Sequence, residues 1–214
     1  LSLLWQGFYS FDDFSMSVRP ELTLGNYAKI FDHANFEIVL RTLAMAMAVT
    51  IAAAAISFPI AYFMARHASP TLKGFFYIGV MLPMWASYIV KAYSWTVILA
   101  KGGILYWLLG RLHLAGAMDA LLAMPYVGGS TLSTSNLGRF LVFTYLWLPF
   151  MILPVQAALE RVPPNLLQAS ADLGAGAAQT FRHVTWPLAF PGVVAGSIFT
   201  FSLTLGDYII PQLV

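Results

Sequence analysis

Two charged residues interrupt long apolar runs of this sequence, and aromatic residues accompany one of them. Lys91 and Asp207 lie inside or at the edge of such runs, where a charge must be paired or face water. The aromatic faces near Lys91 could hold an ammonium group by cation–π attraction. These residue types predict six candidates for contact with a solute: Trp85, Tyr88, Lys91, Tyr93, Trp95 and Asp207. Packing or anchoring at a membrane interface is the alternative role for the four aromatic residues.

Lys91 and Asp207 are also candidates for an ion pair with each other. If each helix is straight and begins near Gly74 or Leu188, both charges lie about 25–29 Å along their helices at 1.5 Å per residue. Equal depth predicts a pair across the outer part of a helix bundle, or joint exposure to an external vestibule. The alternative is that Lys91 reaches the lipid headgroups alone while Asp207 ends its helix in water.

Several kinds of catalytic and binding chemistry have no support in the sequence. It contains no GxxxxGK[ST] phosphate loop, so we expect no ATP hydrolysis by this chain alone. Cysteine is absent, and His113 and His183 have no ligand-spaced partner, so neither a metal site nor a cofactor is predicted. The net charge is +2 and the basic residues are scattered, which argues against a nucleic-acid partner.

The composition is typical of a membrane protein. Of 214 residues, 59% are apolar and 9% are charged, whereas about 25% of residues are charged in soluble domains. A spanning helix needs about 20 apolar residues, and the uncharged runs predict spans at 42–65, 74–100, 140–159 and 188–210. Residues 1–8 are interpreted as the end of an earlier span, and both ends of the chain are expected to be truncated.

The predicted fold is therefore an all-α bundle of transmembrane helices in a single domain, 1–214. Small residues such as Gly192, Ala195 and Gly196 predict close packing between spans. Residues 66–73 contain Arg66 and Lys73 but no acid, and short basic loops favour the cytoplasm. Segments 9–41 and 101–138 are then predicted outside and 160–187 inside, with a short surface or re-entrant helix near residues 104–114.

Residues 160–187 are more polar than the spans and carry signals for helix ends. Pro163 and Pro164 stop the preceding helix, and Asn165 can cap a new helix over residues 166–173. Gly174 permits a turn, a second short helix is predicted over 175–184, and Pro187 begins the next span. The pattern predicts a compact helix–turn–helix, which could either link two spans at the membrane interface or dock a partner.

The spacing within this segment resembles a known loop. Gln168, Gly174 and Pro187 stand where the E-A-A-x3-G-x9-I-x-L-P loop of binding-protein-dependent ABC importer permeases has Glu, Gly and Pro. In that family the loop forms the coupling helices that sit in a groove of a cytoplasmic ATPase, and the resemblance implies the same role here. The implied coupling residues are Leu166, Gln168, Ala169, Ser170, Asp172, Leu173, Gly174, Phe181, Arg182, Val184 and Pro187. Gln168 can form hydrogen bonds but no ion pair, which departs from the family's Glu.

Further segments, 58–65, 82–85, 89–95 and 206–211, are similar to spermidine/putrescine-type permeases. The resemblance implies a type I ABC importer permease in the bacterial inner membrane, carrying a polyamine such as spermidine or putrescine. It also implies partners, namely cytoplasmic ATPase subunits, a second permease subunit, an external solute-binding protein and membrane lipid. Three alternatives remain open from the sequence: a permease for another small solute, a self-contained ion-coupled transporter, and a membrane scaffold without a transport role.

Overall fold

The structure is a computed structural model that describes residues 5, 8–12, 17–24, 32–125 and 127–214. Most of the helix remnant predicted at residues 1–8 therefore lies outside the described residues. The chain divides into two compact units, Leu1–Ala44 and Met45–Val214. Helix α1 (His33–Arg66) begins in the first unit and continues into the second.

The smaller unit contains a two-stranded antiparallel sheet. Strand β1 (Tyr9–Asp12) pairs with β2 (Ser17–Leu22), and the register shifts between Tyr9 and Ser10. The sheet is an addition to the predicted all-α fold. Both strands alternate apolar and polar residues, but they are only four and six residues long and β2 contains Pro20, which weakens the sequence signal for a strand.

The larger unit is helical, and its described residues contain no strand. After α1 its elements are α2 (Pro70–Trp85), α3 (Tyr88–Leu99), α4 (Ile104–Arg111), α5 (Ala115–Leu122), a 3-10 turn (Leu132–Thr134), α6 (Asn136–Glu160), α7 (Pro164–Asp172), α8 (Ala177–Thr180), a π turn (Phe181–Thr185), α9 (Trp186–Gly206) and α10 (Ile209–Leu213). Among the described residues, three helical stretches are long and apolar enough to cross a membrane: Asn35–Arg66, Asn136–Glu160 and Ala177–Gly206. The bent pair Pro70–Trp85 and Tyr88–Arg111 can supply a fourth. The predicted fold class, a polytopic bundle of transmembrane helices, is confirmed.

The predicted span at 74–100 is not one straight helix. Helix α2 and the following stretch Tyr88–Arg111 meet at an angle of 95°. Ala86 and Ser87 lie between them with extended backbones, at ψ 141° and 133°. Pro83 lies in the last turn of α2 and cannot donate the backbone hydrogen bond that a continuous helix needs there. The predicted span 74–100 therefore contains a helix break that its apolar composition does not indicate.

The predicted span at 188–210 is also interrupted, close to its end. Helix α9 stops at Gly206, and Asp207 has an extended backbone with φ −86° and ψ 122°. The short helix α10 begins two residues later, at Ile209. In segment 101–138, the short helix predicted near residues 104–114 corresponds to α4.

Helix α6 packs closely against α9 in the core of the larger unit. A Cβ atom on Gly192 would lie 2.5 Å from the Ala158 Cβ and 2.6 Å from the Pro154 carbonyl oxygen. A Cβ atom on Gly196 would lie 2.6 Å from the Met151 Sδ. The predicted close packing through Gly192 and Gly196 is thus confirmed. It places the end of α6 beside the start of α9, so both ends of residues 160–187 are held by the same pair of helices.

Candidate functional site

Residues 160–187, here the 160–187 segment, begin where α6 ends. Pro163 precedes α7 and Pro164 is its first residue, a position where the missing N–H of proline costs nothing. Gly174 follows α7 with φ +77°, a left-handed conformation that glycine adopts without strain. Its N–H donates to the Ala171 carbonyl and closes the turn. The glycine turn therefore lies where the sequence predicted it, but the helix starts two residues before the predicted 166–173, so Asn165 lies within α7 and the prediction that it caps the helix is wrong.

The predicted second helix is not a separate element. Helix α8, the π turn and α9 form one continuous stretch, Ala177–Gly206. In the π turn the Trp186 N–H donates to the Phe181 carbonyl, a spacing of five residues. Val184 lies in this turn and Pro187 near the start of α9. The 160–187 segment is consequently one free helix, a turn, and an extension of the last span.

Several of the implied coupling residues face solvent. Leu173 is 88% exposed and Leu166 is 43% exposed. Leu166 lies in α7 and Leu173 directly follows this helix, outside the candidate spans. The other exposed members of the set are Gln168, Ala169, Asp172, Gly174, Phe181, Arg182 and Pro187. Exposed residues on both sides of the Gly174 turn are therefore open to contact by a partner protein. Apolar contacts would involve Leu166 and Leu173.

Ser170 and Phe181 make intramolecular contacts. The Ser170 hydroxyl forms a 2.9 Å hydrogen bond with the Thr180 hydroxyl, which ties α7 to α8. The Phe181 ring packs edge-on against Phe58 of α1, with ring centres 5.7 Å apart, and also contacts Tyr62. These two side chains hold the segment together and against α1. Of the remaining implied coupling residues, Val184 is partly buried and the others are exposed.

The two helix breaks meet at Asp207. The Tyr88 hydroxyl, in the first residue of α3 after one break, donates to Asp207 Oδ2 at the other break. Asp207 Oδ1 accepts the N–H groups of Ile209 and Ile210 at 2.9 and 3.1 Å and so caps α10. One carboxylate thus joins the start of α3 to the start of α10.

An open pocket of about 310 Å³ lies beside this carboxylate. It is lined by Tyr88, Trp147, Ser202, Leu203, Gly206, Asp207, Tyr208 and Ile209. The rings of Tyr88 and Trp147 are stacked, with centres 6.2 Å apart and planes 16° apart. The pocket is therefore mostly apolar and aromatic, with a single acid in its lining.

The other four solute candidates do not line this pocket. The Lys91 ammonium donates to the Pro83 carbonyl at 2.9 Å, and the described residues contain no ion pair between Lys91 and Asp207. The predicted pair is wrong: Lys91 donates back across the helix break to Pro83, and Tyr88 makes the contact with Asp207. Trp85 is 87% exposed, Tyr93 is also exposed, and Trp95 packs against Tyr145 at 5.1 Å.

Comparison with known proteins decides the class. Residues 57–214 match the family described as binding-protein-dependent transport system inner membrane component. The chain belongs to this family. The permease is therefore a multi-pass inner-membrane protein and a transport subunit of the ABC importer type. This finding decides against the self-contained ion-coupled transporter and against a scaffold without transport.

Two of three individual relatives carry a solute in their names, and the two solutes differ. The inner membrane ABC transporter permease protein YdcU of Escherichia coli strain K12 is 69% identical over 214 residues, covering 100% of this chain and 68% of the relative. The spermidine/putrescine transport system permease protein PotB of the same strain is 29% identical over 219 residues, covering 100% of this chain and 73% of PotB. The sulfate transport system permease protein CysT of Salmonella typhimurium strain LT2 is 30% identical over 169 residues, covering 58% of this chain and 61% of CysT.

Six of the eight residues that line the permease pocket were not singled out as site residues by the sequence, among them Trp147, which stacks on Tyr88. Trp147 lies within an apolar run that reads as an ordinary span, and nothing in that run separates a pocket tryptophan from a packing tryptophan. Its stacking on Tyr88 depends on the break that brings the start of α3 towards α6. Only the combination of Pro83 with the following Ala86 and Ser87 hinted at such a break.

Proposed function

We propose that the permease lines the translocation path of an ATP-driven importer for a polyamine such as spermidine or putrescine. An external binding protein delivers the solute, a second permease subunit completes the path, and separate cytoplasmic ATPase subunits hydrolyse ATP. The observation that carries the solute proposal is the carboxylate of Asp207 beside the stacked rings of Tyr88 and Trp147.

The coupling role rests on the 160–187 segment. Helix α7 is short and lies outside the candidate spans, and Leu166 within it and Leu173 directly after it are exposed. Two exposed leucines on and beside a short polar helix favour insertion into an apolar groove of a partner. Gln168 is exposed beside them and can add hydrogen bonds, but its neutral side chain supplies no ion pair.

The charge of the pocket favours a cation over an anion. An ammonium group is attracted both by the Asp207 carboxylate and by the aromatic faces of Tyr88 and Trp147. A sulfate ion would be repelled by the same carboxylate. Lys91 binds the Pro83 carbonyl and does not line the pocket, so its ammonium group makes no direct contact with a solute held there.

The test uses the permease assembled with its ATPase, second permease and binding protein in lipid vesicles. We expect ATP-dependent uptake of labelled putrescine, and we expect Asp207→Asn to lower this uptake about tenfold, as the loss of one charged contact would. Asparagine keeps an oxygen that can accept the α10 N–H groups, so the cap survives while the charge is lost.

Asp119→Asn is the matched control, because Asp119 is exposed in α5 and lies outside the pocket. Its uptake should equal that of the unmodified permease, and both variants should co-purify with the ATPase. Full putrescine uptake by Asp207→Asn would remove Asp207 from the solute site. Accumulation of sulfate in place of putrescine would refute the polyamine proposal.

A further inference from the structure

We propose that Arg66 and Lys73 are positioning residues that lock the α6–α7 joint to α1 and α2, so that movement of α7 is passed to the bundle. We call Arg66, Lys73, Glu160 and the carbonyls of Leu159 and Val162 the clasp. The inference rests on the proposed coupling of α7 to an ATPase. It assigns a mechanical role to two basic residues whose sequence context indicated only the orientation of the spans.

Arg66 binds the joint directly. Its Nη2 donates to the Leu159 carbonyl at 3.0 Å and to the Val162 carbonyl at 2.9 Å. Leu159 lies in the last turn of α6, and Val162 directly precedes Pro163. Both residues are buried. A guanidinium at the carboxyl end of a helix is also favoured by the helix dipole.

The backbone of the joint needs such an external donor. Pro163 and Pro164 have no N–H group, so neither can donate to the last carbonyls of α6. The hydrogen bonds from backbone to backbone across the joint are few: Val162 N–H to Leu159 at 3.3 Å, and then Leu166 N–H to Pro163 at 3.2 Å. Without Arg66 the chain between α6 and α7 could pivot about residues 161–163.

Lys73 adds a second attachment from α2. Its ammonium pairs with the Glu160 carboxylate, and both side chains are about one-third exposed. The Gln156 amide, which belongs to a buried residue, donates to the same carboxylate at 3.2 Å and so fixes its direction from within α6. The last residue of α6 is therefore attached to the first turns of α2.

The same face of α1 also contacts the other end of the 160–187 segment. Phe58, Tyr62 and Arg66 are spaced by four residues, which places them along one face of the helix. The Phe58 ring packs against Trp186 at 5.3 Å and against Phe181 at 5.7 Å. One face of α1 thus contacts the segment before α7 and after α8, and a displacement of α7 acts on α1 from both sides.

Spin labels test the positioning role. The permease contains no cysteine, so cysteines introduced at the exposed residues Thr71 in α2 and Ala171 in α7 can be labelled before the complete transporter is assembled. The distance distribution between the two labels reports how firmly α7 is held. ATP hydrolysis stimulated by the binding protein, and co-purification of the ATPase, are measured on the same samples.

We expect Arg66→Gln to retain the ATPase, to broaden the distance distribution, and to lower stimulated hydrolysis about fivefold or more. Lys73→Glu and Glu160→Lys should each have a similar but smaller effect. In the double variant, stimulated hydrolysis should recover to within about twofold of that of the unmodified permease. Lys101→Gln is the matched control, because Lys101 is exposed and contacts no part of the clasp, and it should change neither measurement.

A narrow distance distribution with full stimulated hydrolysis in Arg66→Gln would overturn the proposal. The proposal would also be overturned if stimulated hydrolysis in the Lys73→Glu, Glu160→Lys double variant were as impaired as the sum of the two single effects. If Arg66→Gln does not fold, the charge-swap pair decides alone. Failure of the unmodified permease to bind an ATPase would instead refute the proposed function, while the label distance in the permease itself would still test the clasp.

Discussion

The α6–α7 joint is held by charges and hydrogen bonds, whereas the α8–α9 joint is a continuous helix packed through aromatic rings. At the first joint, two prolines interrupt the backbone ladder and Arg66 and Lys73 bridge the gap. At the second, helical structure runs unbroken over Ala177–Gly206, and Phe181 and Trp186 pack on Phe58. Polar contacts fix direction as well as distance, while ring packing tolerates small shifts. We infer that the polar contacts fix the position of the start of α7, whereas the end of α7 follows the movement of α8 and α9.

The largest expected effect comes from the helix contact that supports both joints. Gly192→Ala places a Cβ 2.5 Å from the Ala158 Cβ, so α6 and α9 must separate. We expect a cost of about 1–3 kcal/mol, read as lower thermal stability of the purified permease and loss of ATPase binding. Gly79→Ala in α2 is the control, since a Cβ there meets nothing within 4 Å. Equal stability of the two variants would show that the α6–α9 packing does not support the joints.

The turn between the joints should give the next largest effect. Gly174→Val forces a β-branched residue to adopt φ +77°, at a cost of about 1–2 kcal/mol. Because a Cβ at Gly174 meets no atom within 4 Å, the cost comes from the backbone alone. We expect normal membrane insertion with loss of stimulated ATP hydrolysis. Gly174→Asn should retain most of the hydrolysis, because asparagine tolerates this conformation, and equal loss in both variants would contradict a backbone origin.

The smallest effect should come from the aromatic contacts at the second joint. Phe181→Ala removes ring contacts to Phe58 and Tyr62, each pair being worth about 0.5–1.5 kcal/mol beyond its buried area. Phe181 is 39% exposed, which reduces the loss. We expect stimulated hydrolysis to fall less than in Arg66→Gln, with Phe199→Ala, at an exposed position of α9, unchanged. A larger loss than in Arg66→Gln would reverse the ranking of the two joints.

The sequence predicted the spans well where hydropathy and straight helices coincide. Helices α1 and α6 contain the predicted spans 42–65 and 140–159, because the need to satisfy the backbone in lipid leaves few other structures for such runs. The Gly174 turn was also predictable, since few residues suit its backbone. These are local requirements that a single stretch of sequence expresses.

Features that depend on two distant stretches were not predicted. The break at Ala86 and Ser87 lies within an uncharged run, so the search for such runs could not locate it. Tyr88 and Asp207 were named separately, but their contact requires both breaks. Arg66 and Lys73 were interpreted through membrane orientation, and their partners lie more than eighty residues away in the chain. The four-residue spacing of Phe58, Tyr62 and Arg66 places them on one helix face. This spacing was the sequence signal for their common contact with the 160–187 segment.

The π turn between α8 and α9 has a consequence for helix register. A π turn holds one residue more than an α-helix would place there, and each α-helical residue corresponds to about 100° of rotation. The residues before Phe181 are therefore rotated by about that angle relative to the face on which Gly192 and Gly196 pack. The insertion or removal of one residue in Phe181–Thr185 would turn Gln179 and its neighbours towards a different side while the bundle stayed packed. The surface offered to a partner and the packing of the span can thus change independently of each other.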